Sequence, residues 1–297
     1  MSTDSNILKD VWDILSYKAF LPDPAEPTLP LRNRAFGTVA GLYIGPAQMV
    51  GCLIHHTRVG FSFSNITKRP IDFALKELHP EDIRTLFREK VDDVVVIAGG
   101  LTDIALKSNI RRQPEVSEIV MLSSQPQKLL GSNFVANHRY SLLHNPVHNQ
   151  SFLAGTDQLQ LNVIVEVVKR AQFRVIRLQS AMVCALDKVL DEDDVKQGRI
   201  FPLILDNGNA FFTRVGQQGN WEGWRYRAKV ISSPEESALK VFLNSLSLTA
   251  QDNLLIVDMG SNYDYPIEKD LEGINFRRFE ATSVGREYLP FYLSTLN

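Results

Sequence analysis

The sequence predicts an α/β protein built from two similar units. Two observations carry that expectation. The order hairpin, third strand, helix, buried strand occurs twice, once from Phe36 and again from Ile200. In each unit the buried strand is an apolar run, Val94 to Ala98 in the first and Leu254 to Asp258 in the second. Such runs mark strands covered on both faces. The halves share almost no residues, so what recurs is the order of elements, which suggests duplication.

Residues 1–35 stand apart from the first unit. Asn6 to Phe20 places Ile7, Leu8, Val11, Trp12, Ile14 and Leu15 at helical spacing, and Leu21 to Pro30 then holds four prolines in ten residues. Proline fixes φ and lacks an N–H, so the second stretch is an extended linker. The short amphipathic helix either packs on its own domain or docks on a partner.

The first unit covers residues 36–197. Thr38 to Ile44 and Ala47 to His55 read as a hairpin turning at Gly45-Pro46, and Val59 to Ile66 alternates as a third strand. Arg69 to Leu78 reads as a helix. Pro80 then opens another, with Glu81 and Asp82 in the first turn, where the dipole favours acids. The strand Val94 to Ala98 breaks at Gly99-Gly100. A strand is expected in Asp103 to Arg111 and a helix from Glu115. Tyr140 to Leu143 and Ser151 to Gly155 should pair as strands. Thr156 is the expected cap of a strong helix, Asp157 to Ala171. Phe173 to Leu178 is a strand and Ser180 to Leu190 a helix. The acidic stretch from Asp191 to Asp194 and Gly198 marks the boundary.

The second unit covers residues 198–297. Ile200 to Asp206, Asn209 to Val215 and Trp221 to Ile231 are its three opening strands, with Asn207-Gly208 as the hairpin turn. Ser233-Pro234-Glu235-Glu236 forms a capping box for a helix reaching Leu246. The buried strand, a strand over Ile274 to Phe279 and a helix over Gly285 to Leu296 complete the chain. Pro290 should kink or shorten that helix.

Bulk properties narrow the function. The 297 residues carry a formal net charge of −2. Nucleic-acid and membrane-surface binders need a concentrated basic face, so neither is expected here. Cys52 and Cys184 lie in apolar runs, as buried thiols do in a reducing cytosol. The N-terminus is polar and acidic, and no apolar run approaches the ~20 residues of a membrane span. A cytoplasmic protein is therefore expected, held at a membrane only through a partner.

The residues able to carry chemistry sit at the hairpins. An apolar strand ending in an acid and a glycine can hold nucleotide phosphates. The glycine admits backbone N–H groups, and the acid orients a Mg²⁺-bound water. Leu203 to Ala210 contains these parts in Asp206, Gly208 and Asn209. The same letters also describe a plain β-hairpin with an Asn-Gly turn, the stronger reading on motif alone. The first hairpin keeps Gly45 but has Tyr43 where an acid would be needed, and Pro46 removes an N–H. Asp258 and Gly260 end the second buried strand. His144 and His148 lie four apart, but no helix is expected there to put both on one face, so these and His55-His56 read as loop or surface histidines.

Paired strand-acid-glycine hairpins opening two α/β domains resemble the actin-like ATPase superfamily. Within it the chain resembles the PilM family of type IV pilus assembly and the cytoplasmic part of the type II secretion protein GspL. The stretches Ser151 to Leu190, Leu203 to Arg214 and Asn253 to Ser261 carry the likeness. The resemblance implies an actin-like (ribonuclease H-like) fold, two domains each with a mixed sheet opened by a β-hairpin. It implies a nucleotide site at Gly45, Asp206, Gly208, Asn209, Asp258 and Gly260, and a partner, an inner-membrane assembly protein bound through its cytoplasmic tail. Homo-oligomers are also compatible with it.

The departures from that pattern matter. The superfamily's first hairpin reads Asp-Ile-Gly, then small hydroxyl residues and a lysine. Here it reads Tyr43-Ile44-Gly45-Pro46-Ala47-Gln48-Met49. Charge-assisted hydrogen bonds are worth roughly 1.5–3 kcal/mol each, so losing several should abolish tight ATP/Mg²⁺ binding and turnover. A non-catalytic scaffold is the expectation. An active ATPase or small-molecule kinase, leaning on Asp206, Gly208 and Asp258, is the alternative.

Overall fold

The computed structural model describes residues 37–45, 48–57, 60–71, 78–100, 102–105, 115–130, 136–145, 150–190, 192–206, 209–215, 221–227, 236–259, 271–279 and 288–295. The 1–35 appendage, the Ser233 capping box, Gly208, Gly260 and His148 lie outside them.

The first half opens with β1 (Gly37–Ile44), β2 (Gln48–Thr57) and β3 (Gly60–Pro70), then α1 (Pro80–Arg84) and β4 (Asp93–Ala98). An insertion follows. It comprises β5 (Thr102–Ala105), α2 (Val116–Ser124), α3 (Pro126–Leu130), β6 (His138–Asn145) and β7 (Gln150–Asp157). Then come α4 (Gln158–Arg170), β8 (Arg174–Ser180) and α5 (Ala181–Leu190). The short α6 (Asp193–Lys196) leads to the second half: β9 (Phe201–Asp206), β10 (Asn209–Val215), β11 (Trp221–Arg227), α7 (Glu236–Ser245), β12 (Asn253–Asp258), β13 (Asn275–Arg278) and α8 (Leu289–Thr295).

The two main sheets have one topology. The first runs β3-β2-β1-β4-β8 and the second β11-β10-β9-β12-β13. In each, three antiparallel strands are followed by two parallel ones. A small antiparallel sheet, β5-β7-β6, belongs to the insertion between β4 and β8.

Alternation along the strands assigns three apolar layers. Leu42, Ile44, Val94 and Val96 face outward onto Ile83 and onto Leu161, Ile164 and Val168 of α4. Leu203, Leu205, Leu254 and Ile256 face Phe242 and Leu243 of α7. The inner faces share a single core. It joins Tyr43, Val95 and Ile97 of the first sheet to Ile204, Leu255 and Val257 of the second, with α5 and α8. α8 crosses to the first half, where it packs on β1 and β4. α5 bridges the halves, packing on β8 and β6 of its own half and on β9 of the other, and the two helices pack on each other.

Three expectations need correction. Arg69 and Pro70 end β3 and do not begin a helix, because the pairing with β2 continues to Gln48 opposite Pro70. Residues 72–77 of that expected helix lie outside the described residues. Thr156 does not cap α4. It is a buried β7 residue, and Asp157 is the cap, its carboxylate accepting from the N–H groups of Leu159 at 2.9 Å and Gln160 at 3.1 Å. Pro290 does not kink the described part of the last helix but lies in the first turn of α8, where a missing N–H removes no helical bond; the described helix, Leu289–Thr295, is shorter than expected, and residues 285–287 lie outside the described residues.

Candidate functional site: the cleft between the hairpins

Strand parity decides what points between the two sheets. Because side chains alternate, Tyr43 shares the inner face of β1, as Asp206 shares that of β9 with Ile204. Both are fully buried. The Tyr43 hydroxyl donates to Asp206 Oδ1 at 3.2 Å. The backbone N–H of Gly100, just beyond β4, donates to Asp206 Oδ2 at 2.9 Å. Asn209, opposite Asp206 in the β9–β10 hairpin, returns the contact, its Nδ2 donating to the Gly100 carbonyl at 2.9 Å. Both backbone groups of Gly100 are thus engaged by the other half.

Local geometry explains the two glycines. Gly99 N–H donates to the Ile44 carbonyl at 2.8 Å, which ties the end of β4 to the first hairpin. A Cβ at Gly99 would overlap the Tyr43 ring and hydroxyl. Gly100 has φ of 70°, the left-handed region that side chains disfavour. Read from sequence, this pair only ended a strand, and Tyr43 was only a missing acid. The available signal was a Gly-Gly step after a buried strand, level with an aromatic residue of inner-face parity.

Electrostatics follow from burial. Desolvation pushes the Asp206 carboxyl up to about 7, assisted by the nearby Asp258 charge. The hydrogen bonds from Gly100 and Tyr43 pull the other way. Asp258 ends β12 beside β9, is partly exposed, and lies 4.0 Å from Arg278 Nη1.

The expected site residues are distributed unevenly. Asp206 and Asn209 meet in one buried cluster with Tyr43 and Gly100. Gly45 lies at the first hairpin, its N–H donating to the Gln48 carbonyl at 2.9 Å, so that donor is committed to the turn. Among the described residues Mg-ATP finds no open carboxylate at Asp206, which is fully buried and whose two oxygens accept from Tyr43 and Gly100.

The histidines differ from the loop-or-surface expectation. His55 lies half-buried in β2, its Nδ1 2.9 Å from Thr38 Oγ1 and its Nε2 2.6 Å from Ser64 Oγ. His56 is also half-buried and stacks on Phe61, and His144 lies in β6. Among the described residues no cluster of three or more His, Cys, Asp or Glu could hold a metal. Among them, too, no helix is long and apolar enough to cross a membrane.

The doubled β3-β2-β1-β4-β8 order, opened in each half by a hairpin, defines an actin-like fold. The particular likeness is to a chain of a PilM–PilN type IV pilus biogenesis complex. The TM-score is 0.53 at 13% identity, over 87% of this chain and 96% of that one. The chain is also similar to a protein of unknown function with an actin-like ATPase fold from Bacteroides thetaiotaomicron. There the TM-score is 0.48 and the identity 8%, over 86% of this chain and 95% of that chain. A third similar structure is the ethanolamine utilization protein EutJ from Carboxydothermus hydrogenoformans. It gives a TM-score of 0.43 at 8% identity, over 92% of each chain. No protein-family model and no curated protein matches the sequence.

Proposed function

We propose that this chain is a non-catalytic actin-like scaffold of a type IV pilus or type II secretion-type machine, binding the cytoplasmic tail of an inner-membrane partner. In this reading the protein is cytoplasmic and reaches the membrane only through that partner. Residues 36–197 and 198–297 are its two domains, and 1–35 is an appendage. The observation that carries the non-catalytic part is the Tyr43–Asp206 hydrogen bond. It places a tyrosine hydroxyl against the acid that a nucleotide-driven relative would turn towards Mg²⁺. The likeness in fold to a chain of a PilM–PilN complex supports the choice of machine.

Gly45, Asp206, Gly208, Asn209, Asp258 and Gly260 then mark the former nucleotide cleft, now kept for structure. The alternative, an active ATPase or small-molecule kinase, has one observation in its favour. Asp206 and Asp258 end neighbouring parallel strands, and the Asp258 charge acts on the Asp206 carboxyl.

Two measurements separate these readings. Affinity purification from the native host should retain a bitopic inner-membrane protein, and deleting that protein's cytoplasmic tail should abolish retention. Ligand at about 100 Kd stabilises a fold by about 2.7 kcal/mol. The scaffold reading expects no thermal shift with millimolar Mg-ATP. A robust shift accompanied by phosphate release would replace it with the enzyme reading.

A further inference from the structure

We infer that Tyr43, Gly100, Asp206 and Asn209 form a built-in clamp that holds the two halves closed at the cleft without any ligand. Each contact joins one half to the other. Tyr43 and Asp206 are 163 residues apart, Gly100 and Asp206 106, and Gly100 and Asn209 109. In a two-lobed protein, anything that touches both lobes and binds only the closed form favours closure. Here side chains and one backbone segment of the chain itself do this.

The chemistry suits a permanent contact. All three hydrogen bonds are buried, where low dielectric strengthens a satisfied network and penalises an opened one. Opening would strip Gly100 of partners for both its N–H and its C=O at once. It would also leave the Asp206 carboxyl without either donor. The charged and titratable groups facing Asp206 are Tyr43 on β1 and Asp258 on β12, the latter held by Arg278 of β13. Behind the polar cluster the shared core of α5 and α8 continues the same closure with apolar contacts.

The clamp depends on the fold and not on the identity of a membrane partner, so its failure and that of the scaffold reading are distinguishable. The experiment uses the full chain with spin labels at Lys68→Cys and Gln251→Cys, both exposed positions, one on each half. The native thiols Cys52 and Cys184 are buried and should stay unlabelled. The ligand-free protein should give one narrow inter-label distance, unchanged by Mg-ATP, with slow hydrogen exchange at the Gly100 amide. Tyr43→Phe combined with Asn209→Ala should broaden the distance distribution and speed that exchange at least tenfold, with the far-ultraviolet spectrum retained. Tyr43→Phe alone, which keeps the ring, should give an intermediate effect and covers the case in which the double variant does not fold. A broad or two-population distance in the ligand-free wild type overturns the clamp. So does unchanged Gly100 exchange in the Tyr43→Phe protein.

Discussion

The ring of Phe291 rests on Gly41. A Cβ at Gly41 would lie 2.7 Å from Phe291 Cδ1 and 3.0 Å from both Cys52 Sγ and Ile54 Cδ1. This is where the last helix, α8, meets the first strand. Gly41→Ala should therefore destabilise the protein by about 1–3 kcal/mol, the usual cost of overpacking a core. A urea denaturation midpoint measures this. Phe291→Leu should recover part of the loss in the double variant, because it withdraws the nearest of the three atoms. Equal stability of Gly41→Ala and wild type would mean that α8 does not sit tightly on β1.

Asp206 gives the protein a definite pH dependence. Its carboxyl is raised to about 7 by burial, so the folded state holds a proton that the unfolded chain releases above the ordinary carboxylate range. Between about pH 4 and pH 7 the native state binds more protons, so this group's contribution to stability falls as pH rises, then stays flat. At 1.36 kcal/mol per pH unit the span is on the order of 4 kcal/mol. Asp206→Asn should remove that slope and be the more stable protein at pH 8. Its amide oxygen can still accept from Gly100 and its NH₂ can donate to the Tyr43 oxygen. Chemical denaturation at pH 5 and pH 8 tests both statements.

Gly99 and Tyr43 should be energetically coupled. Gly99→Ala places a methyl group into the tyrosine ring and hydroxyl, and a cost of about 1–3 kcal/mol is expected. In a Tyr43→Leu background the same change should cost clearly less, giving a coupling of roughly 0.5–3 kcal/mol. Additive effects in a double-mutant cycle would show that the contact is slack.

The cap of α4 offers a local test. Asp157→Ala removes the acceptor for the N–H groups of Leu159 and Gln160 and should cost about 1 kcal/mol. Thermal unfolding of Asp157→Ala and Asp157→Asn separates cap loss from charge loss, since Asn caps nearly as well. An unaffected melting temperature in the alanine variant would mean that the Asp157 cap adds nothing measurable to the stability of the fold.

Much of the fold was legible because its signals are local. Val94 to Ala98 and Leu254 to Asp258 declare buried strands by composition, and the two glycine-bearing turns declare hairpins. The errors fell where a non-local partner decided the outcome. Arg69 has a helix-compatible side chain, yet pairs opposite Met49 and stays in the sheet. Ahead of them β3 bulges, with Asn65 and Ile66 opposite Cys52 and Asn65 at φ of 55°. The cap of α4 moved by one residue because Thr156 is drawn into β7. Between the two sheets, the sequence places Tyr43 at the end of a buried strand but cannot show that its hydroxyl reaches Asp206. For Gly100 the Gly-Gly step after β4 was the one local signal, and it does not say which groups of the other half its backbone N–H and C=O would meet.

The crossing of α8 to the first half has a consequence for cutting the chain. A break after Leu190 would leave the first fragment with α5 on β8 and β6 but without β9 against its other side, and without Phe291 over Gly41. The second would carry α8 without the β1 and β4 on which it packs. Each fragment made alone would expose part of the shared core and should aggregate. Expressed together they are built to reassemble, which makes that junction a natural place for a split-protein complementation assay.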